Sequence, residues 1–106
     1  MYEGNFVDGN FHGEGTFNYI DNRVYKGLWK EGLLSGYGIF SWPDGNRFEG
    51  EYNNGLKHGK GTFYFSNGKI FKGQWKNGLK HGPGELKIAN QIIKGVWRNG
   101  ELEATV

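Results

Sequence analysis

The residues in this 106-residue chain that first suggest chemistry are three histidines, His12, His58 and His81, each standing immediately before a glycine. Imidazole is a common metal ligand, but a zinc ion holds its ligands at about 2 Å. His58 and His81 occupy equivalent places in two sequence repeats, which as β-structure puts them about 10 Å apart. They are expected to shape the entry to a strand, and no metal site is expected. Two glycine-rich segments, Gly13–Phe17 and Gly59–Phe63, look like phosphate-binding loops. No helix follows either one to offer its N-terminus to an anion. Asp8, Asp21 and Asp44 all lie in turn segments, where short polar side chains serve the backbone. There is no cysteine, hence no thiolate site or cysteine nucleophile. No Ser/His/Asp or paired-carboxylate arrangement stands out. The expectation is a non-enzymatic protein with no catalytic residues, cofactor or small-molecule substrate.

What organises the chain is a repeat. Residues 48–70, FEGEYNNGLKHGKGTFYFSNGKI, align with Tyr2–Val24 and Tyr25–Arg47 at the same 23-residue length. Phe71–Ile92 is one residue shorter, and Ile93–Leu102 is the first half of a fifth copy. A period of this size implies stacked units in a quasi-one-dimensional array. Within each copy the opening strand alternates strictly, as in Tyr25-Gly27-Trp29 and Phe71-Gly73-Trp75. Period-two geometry puts each such triple on one face. The second strands alternate likewise, as in Gly36-Gly38-Phe40-Trp42.

Asp8–Gly9, Asn54–Gly55, Asn77–Gly78 and Asn99–Gly100 are type I′ hairpin signals, and Glu31–Gly32 occupies the equivalent place. Further turns are expected at Asp21–Asn22, Pro43–Asp44–Gly45 and Asn67–Gly68, with a tighter or irregular one at Ile88–Gln91, where the fourth copy is short. The fold class is therefore all-β: an elongated, single-layer, twisted antiparallel meander in one domain, residues 1–106. It should have nine strands, with room for a tenth at Leu102–Val106, and a length of roughly 40 Å. Fifteen of the eighteen aromatic residues fall on the marked face; Phe11, Tyr37 and Tyr64 fall outside the set. Glycines beside them leave bare backbone over which a ring can lie.

Composition agrees with this scheme. Twenty glycines and eighteen aromatics suit turn-rich strands. No 18-residue apolar run or signal-peptide pattern occurs, so a cytoplasmic location is expected. Charge is uneven: residues 1–56 hold four Lys/Arg against eight Asp/Glu, a net −4, whereas residues 57–106 hold nine against three, a net +6.

The pattern Y-x-G-x-W-x-x-G-x-x-x-G-x-G, with a DG or NG turn before the next aromatic, resembles the MORN repeat. The resemblance spans nearly the whole chain. Ser35 in place of a histidine, Pro83 in a strand and the shortened fourth turn depart from it. It implies an elongated single-layer antiparallel sheet with a groove along one face. It also implies a scaffold in cytoskeletal, ciliary or membrane-contact assemblies.

Two surfaces follow. On the aromatic face, the strand-end rings Trp29, Tyr52, Trp75 and Trp97, with Trp42 and Phe65, are expected to be exposed and to line a groove for a protein partner. Bare first and last strands suggest self-association through sheet edges. The second surface is a basic stretch that includes Lys57, Lys60, Lys69, Lys72, Lys76 and Lys80. These would serve the alternative reading, peripheral binding to anionic phospholipids, since each lysine near such a bilayer adds about 1 kcal/mol. An acidic first half and the absence of a known motif argue against nucleic acid.

Overall fold

Alternating apolar and polar residues, punctuated by turn pairs, produce ten strands in the computed structural model, which describes residues 1–106. They are β1 (Tyr2–Val7), β2 (Asn10–Asn18), β3 (Val24–Lys30), β4 (Leu33–Ser41) and β5 (Arg47–Asn53). The second half holds β6 (Leu56–Tyr64), β7 (Ile70–Lys76), β8 (Leu79–Ile88), β9 (Gln91–Arg98) and β10 (Glu101–Thr105). All ten form one sheet in chain order, each antiparallel to its neighbours. The ribbon measures 47 × 24 × 16 Å.

The turn chemistry explains the topology. Asp8, Glu31, Asn54, Asn77 and Asn99 have φ between 49° and 52°, and each is followed by a glycine also at positive φ. This pair of left-handed residues is what a two-residue type I′ hairpin requires. Asn22 sits at φ 73°, the left-handed conformation anticipated for it. At the turns between repeats, the Asp21, Asp44 and Asn67 side chains accept backbone N–H bonds from the residue two positions on. The shortened fourth repeat closes with only Ala89 and Asn90 between paired Ile88 and Gln91.

Each of the first four hairpins carries a bulge. Between the pairs Gly27↔Gly38 and Trp29↔Leu34, for example, β4 spends two more residues than β3. The bulges contain Gly13, Gly36, Gly59 and Gly82, all at positive φ. The histidine column lies here: His12, His58 and His81 each precede a bulge glycine, in separate hairpins.

The core is built across repeats. Tyr25, Phe48 and Phe71 have no exposed surface, although the sheet is a single layer. Each lies flat over a glycine pair, such as Gly27↔Gly38, where a Cβ on Gly38 would collide with the Tyr25 phenol. Each is then enclosed edge-on by two strand-end rings, its own and the next repeat's. Tyr25 meets Trp29 at 5.2 Å and Tyr52 at 5.5 Å; Phe48 meets Tyr52 at 5.6 Å and Trp75 at 5.1 Å. Phe71 meets Trp75 at 5.6 Å and Trp97 at 4.8 Å. Trp29 and Trp75 also donate their indole N–H to the carbonyls of Gly15 and Gly61 in the preceding repeat, at 3.1 and 3.2 Å. Full burial of such a ring contributes about 2–3 kcal/mol, and each edge-on pair about 0.5–1.5 kcal/mol more.

This arrangement corrects one expectation. Trp29, Tyr52, Trp75 and Trp97 are not exposed; they are 4–7% accessible and form the core. The cause is that each covers the opening ring of the repeat before it. Phe11 is a second correction: it belongs to the aromatic face, stacked on Tyr2 at 3.8 Å and edge-on to Trp29 at 5.2 Å. The β2 strand begins early enough to bring it opposite Phe6.

Candidate functional site

With the strand-end rings consumed by the core, the aromatic surface left open is a line of rings that directly follow the second strand in each of the first three repeats. Tyr19, Trp42 and Phe65 are half-buried and recur one repeat apart. Each leans on an inner ring: Tyr19 on Phe17 at 4.5 Å, Trp42 on Phe40 at 4.6 Å, Phe65 on Phe63 at 4.6 Å. Contacts between Tyr19 and Phe40 and between Trp42 and Phe63 join the pairs into a continuous stripe. Of the six rings expected to line a groove, Trp42 and Phe65 keep open surface beside this stripe. Tyr19 joins them, and its equivalence to Trp42 and Phe65 within the repeat was the signal for it.

The lysines do not form one surface. Lys57 pairs in register with Tyr52, and Lys80 with Trp75, so both lie on the aromatic face. The Lys57 ammonium sits 5.3 Å from the Phe48 ring centre and 5.7 Å from those of Trp42 and Trp75. Lys80 lies 4.9 Å from the Phe71 ring and 5.5 Å from that of Phe65. Burial pushes both ammonium groups below the ordinary lysine value. Lys60 and Lys72 occupy the opposite face, while Lys69 and Lys76 are exposed near turns. A two-residue turn at Asn54–Gly55 dictates that Lys57 faces Tyr52; reading the lysines as a charge run concealed it.

A broad, open hollow lies on the polar face, away from the rings. It encloses ≈ 870 Å³ over the bare backbone of Gly50, Gly61, Gly73 and Gly84. Tyr37, Glu49, Glu51, Lys60, Lys72 and Glu85 stand around it. Bulges and glycines bend a sheet, and the rings fill the other face. Many of the charges here are already engaged: Glu49 with Arg47 at 2.8 Å, Lys94 with Glu85 at 3.7 Å, and Glu51 accepting the Lys60 backbone N–H at 3.0 Å. No group of three or more His, Asp or Glu side chains is gathered to hold a metal ion, and no helix is long and apolar enough to cross a membrane.

Two tyrosines of the core are also perturbed. Burial raises the Tyr25 phenol, which donates to the Leu28 carbonyl at 3.1 Å, to about 12, and raises Tyr52 further.

The sequence profile of the MORN repeat matches residues 2–22, 25–47, 48–70 and 71–91, in phase with the four full hairpin units. Comparison with curated proteins finds no match to the chain. MORN repeats are in general modules for interaction with proteins or membranes, and proteins built from them are typically non-catalytic. With four matched units covering most of its length, the chain is a member of the MORN-repeat family.

Proposed function

We propose that this chain is a non-catalytic interaction scaffold that holds a segment of another protein along its aromatic face. The observation that carries the reading is the stripe of Tyr19, Trp42 and Phe65, half-buried and covered by no second layer. Aromatic anchors held rigid by their neighbours bind with little loss of conformational freedom, and they dominate the energetics of interfaces. The rings beneath are fixed edge-on to one another, so the stripe is presented ready-made. A place in a cytoskeletal or ciliary assembly fits such a scaffold. Anionic lipid is the weaker reading, because the lysines that would contact a bilayer face three ways.

The test uses peptides selected from a displayed random library on the immobilised protein. Trp42→Ala combined with Phe65→Ala should weaken the selected peptides at least ~10-fold, since anchor truncation costs ~2 kcal/mol or more. Circular dichroism should show the sheet intact. Equal affinity in the folded variant would remove the stripe from the site. Tyr52 and Trp75 are unsuitable for this purpose, because their loss opens the core.

A further inference from the structure

The residue facing the strand-end ring across each hairpin is Phe11, Leu34, Lys57, Lys80 and Leu102 in turn. In the first, second and fifth hairpins this cover is apolar. In the third and fourth it is lysine. Leu34, packed against the core, shows that an apolar side chain suffices to cover the ring, so the two ammonium groups call for another cause.

Neither ammonium has an anionic partner: the four ion pairs of the chain involve Arg23, Arg47, Lys94 and Arg98. The carboxylates of the neighbouring strands, Glu49, Glu51 and Glu85, stand on the opposite face around the hollow. Asp21 and Asp44 are in turns. Lys57 and Lys80 are therefore half-buried cations on an aromatic face that carries no acid. Ring faces offset part of the lost hydration, but a carboxylate arriving from outside would meet two desolvated, unpaired positive charges.

We propose that the segment bound along the aromatic face is acidic, with two carboxylates about 10 Å apart that pair with Lys57 and Lys80 while apolar side chains pack on Trp42 and Phe65. The spacing follows from the fold: Lys57 and Lys80 are one repeat, two strands, apart, or ~9.6 Å. Residues i and i+7 of a helix are ~10.5 Å apart along its axis, and i and i+3 of a polyproline II segment, which share a face, ~9.3 Å. This assignment deepens the proposed function and rests on it.

The test compares library selection on the natural chain with binding to K57L/K80L, whose leucines reproduce Leu34 and so keep the ring covered. Selected peptides are expected to carry acidic pairs at constant spacing. They should bind K57L/K80L at least ~10-fold more weakly and K57R/K80R close to normally, with high salt weakening the natural chain and K57R/K80R but changing K57L/K80L little. Peptides without acidic bias, or bound equally by K57L/K80L, would overturn the charge assignment. The stripe itself would then still stand if the Trp42→Ala/Phe65→Ala variant loses them. A selection that enriches nothing overturns both. Binding of phosphatidylserine vesicles that K57L/K80L abolishes, with no such peptide, would give the lysines to lipid and overturn the proposal.

Discussion

The two faces of the ribbon come from the same ten strands, one from each alternate set of residues, yet they do different work. On one face, opening rings lie on glycine pairs and strand-end rings of adjacent repeats close over them, so nearly all the burial is there. On the other, Glu49, Glu51, Lys60, Lys72 and Glu85 surround a hollow and bury little. A single-layer sheet can thus hold itself together from one side, provided each repeat lends a ring to its neighbour. Stability in such an array is carried by interfaces between neighbouring repeats, as in other solenoids.

The sharpest way to break this asymmetry is Trp75→Ala. It removes the cover of Phe48 and Phe71 and the bond to the Gly61 carbonyl. The expected loss is about 3–5 kcal/mol in urea unfolding. Gly61→Ala, which drives a methyl into the Phe48 ring, should cost about 1–3 kcal/mol. Thr62→Ala, one residue along and on the polar face, should stay within ~0.5 kcal/mol. Comparable losses for Gly61 and Thr62 would mean that the two faces share the burden.

A smaller effect reads the aromatic face through pH. Tyr25 ionises near 10 when unfolded and at about 12 in the folded chain, so its contribution is fully present below pH 10 and lost as pH rises toward 12. The loss is at most ~1.4 kcal/mol per pH unit. Tyr52 acts in the same direction. Lys57 and Lys80, titrating below the ordinary 10.5, act in the opposite one. Tyr25→Phe should cost about 1 kcal/mol at neutral pH, from the lost bond to Leu28. It should also flatten part of the alkaline decline in melting temperature, and an unchanged alkaline slope would contradict the burial of this hydroxyl.

The smallest effect belongs to the polar face. K60E/K72E should cost no more than about 1 kcal/mol, from the like charge it sets across the ladder from Glu85. Co-sedimentation with phosphoinositide-rich vesicles at physiological salt should be weak and little altered by it, since dispersed lysines near a bilayer contribute only about 1 kcal/mol each. Strong, headgroup-dependent binding abolished by K60E/K72E would instead make the polar face a membrane surface.

Much of the fold was legible before the structure. The 23-residue period, the Asn-Gly pairs and the strict alternation around Gly27, Gly50 and Gly73 act over a few residues, so they predict strands, turns and face without tertiary information. The Ile88–Gln91 turn was legible as tight or irregular because one residue was missing. The site was less legible. Trp29, Tyr52, Trp75 and Trp97 look like exposed strand ends because what covers them, or what they cover, comes from another repeat. The position of Lys57 was within reach, since a two-residue turn sets it opposite Tyr52.

By itself the sequence determined a repeating antiparallel meander with one aromatic face, because hairpin turns and period-two alternation are local and each copy repeats them. Only the tertiary structure decided which rings are core and which are open, since that depends on ring contacts between repeats. It also decided on which face the hollow lies. Bend and twist are small at each strand and become a concavity only when summed over the whole ribbon.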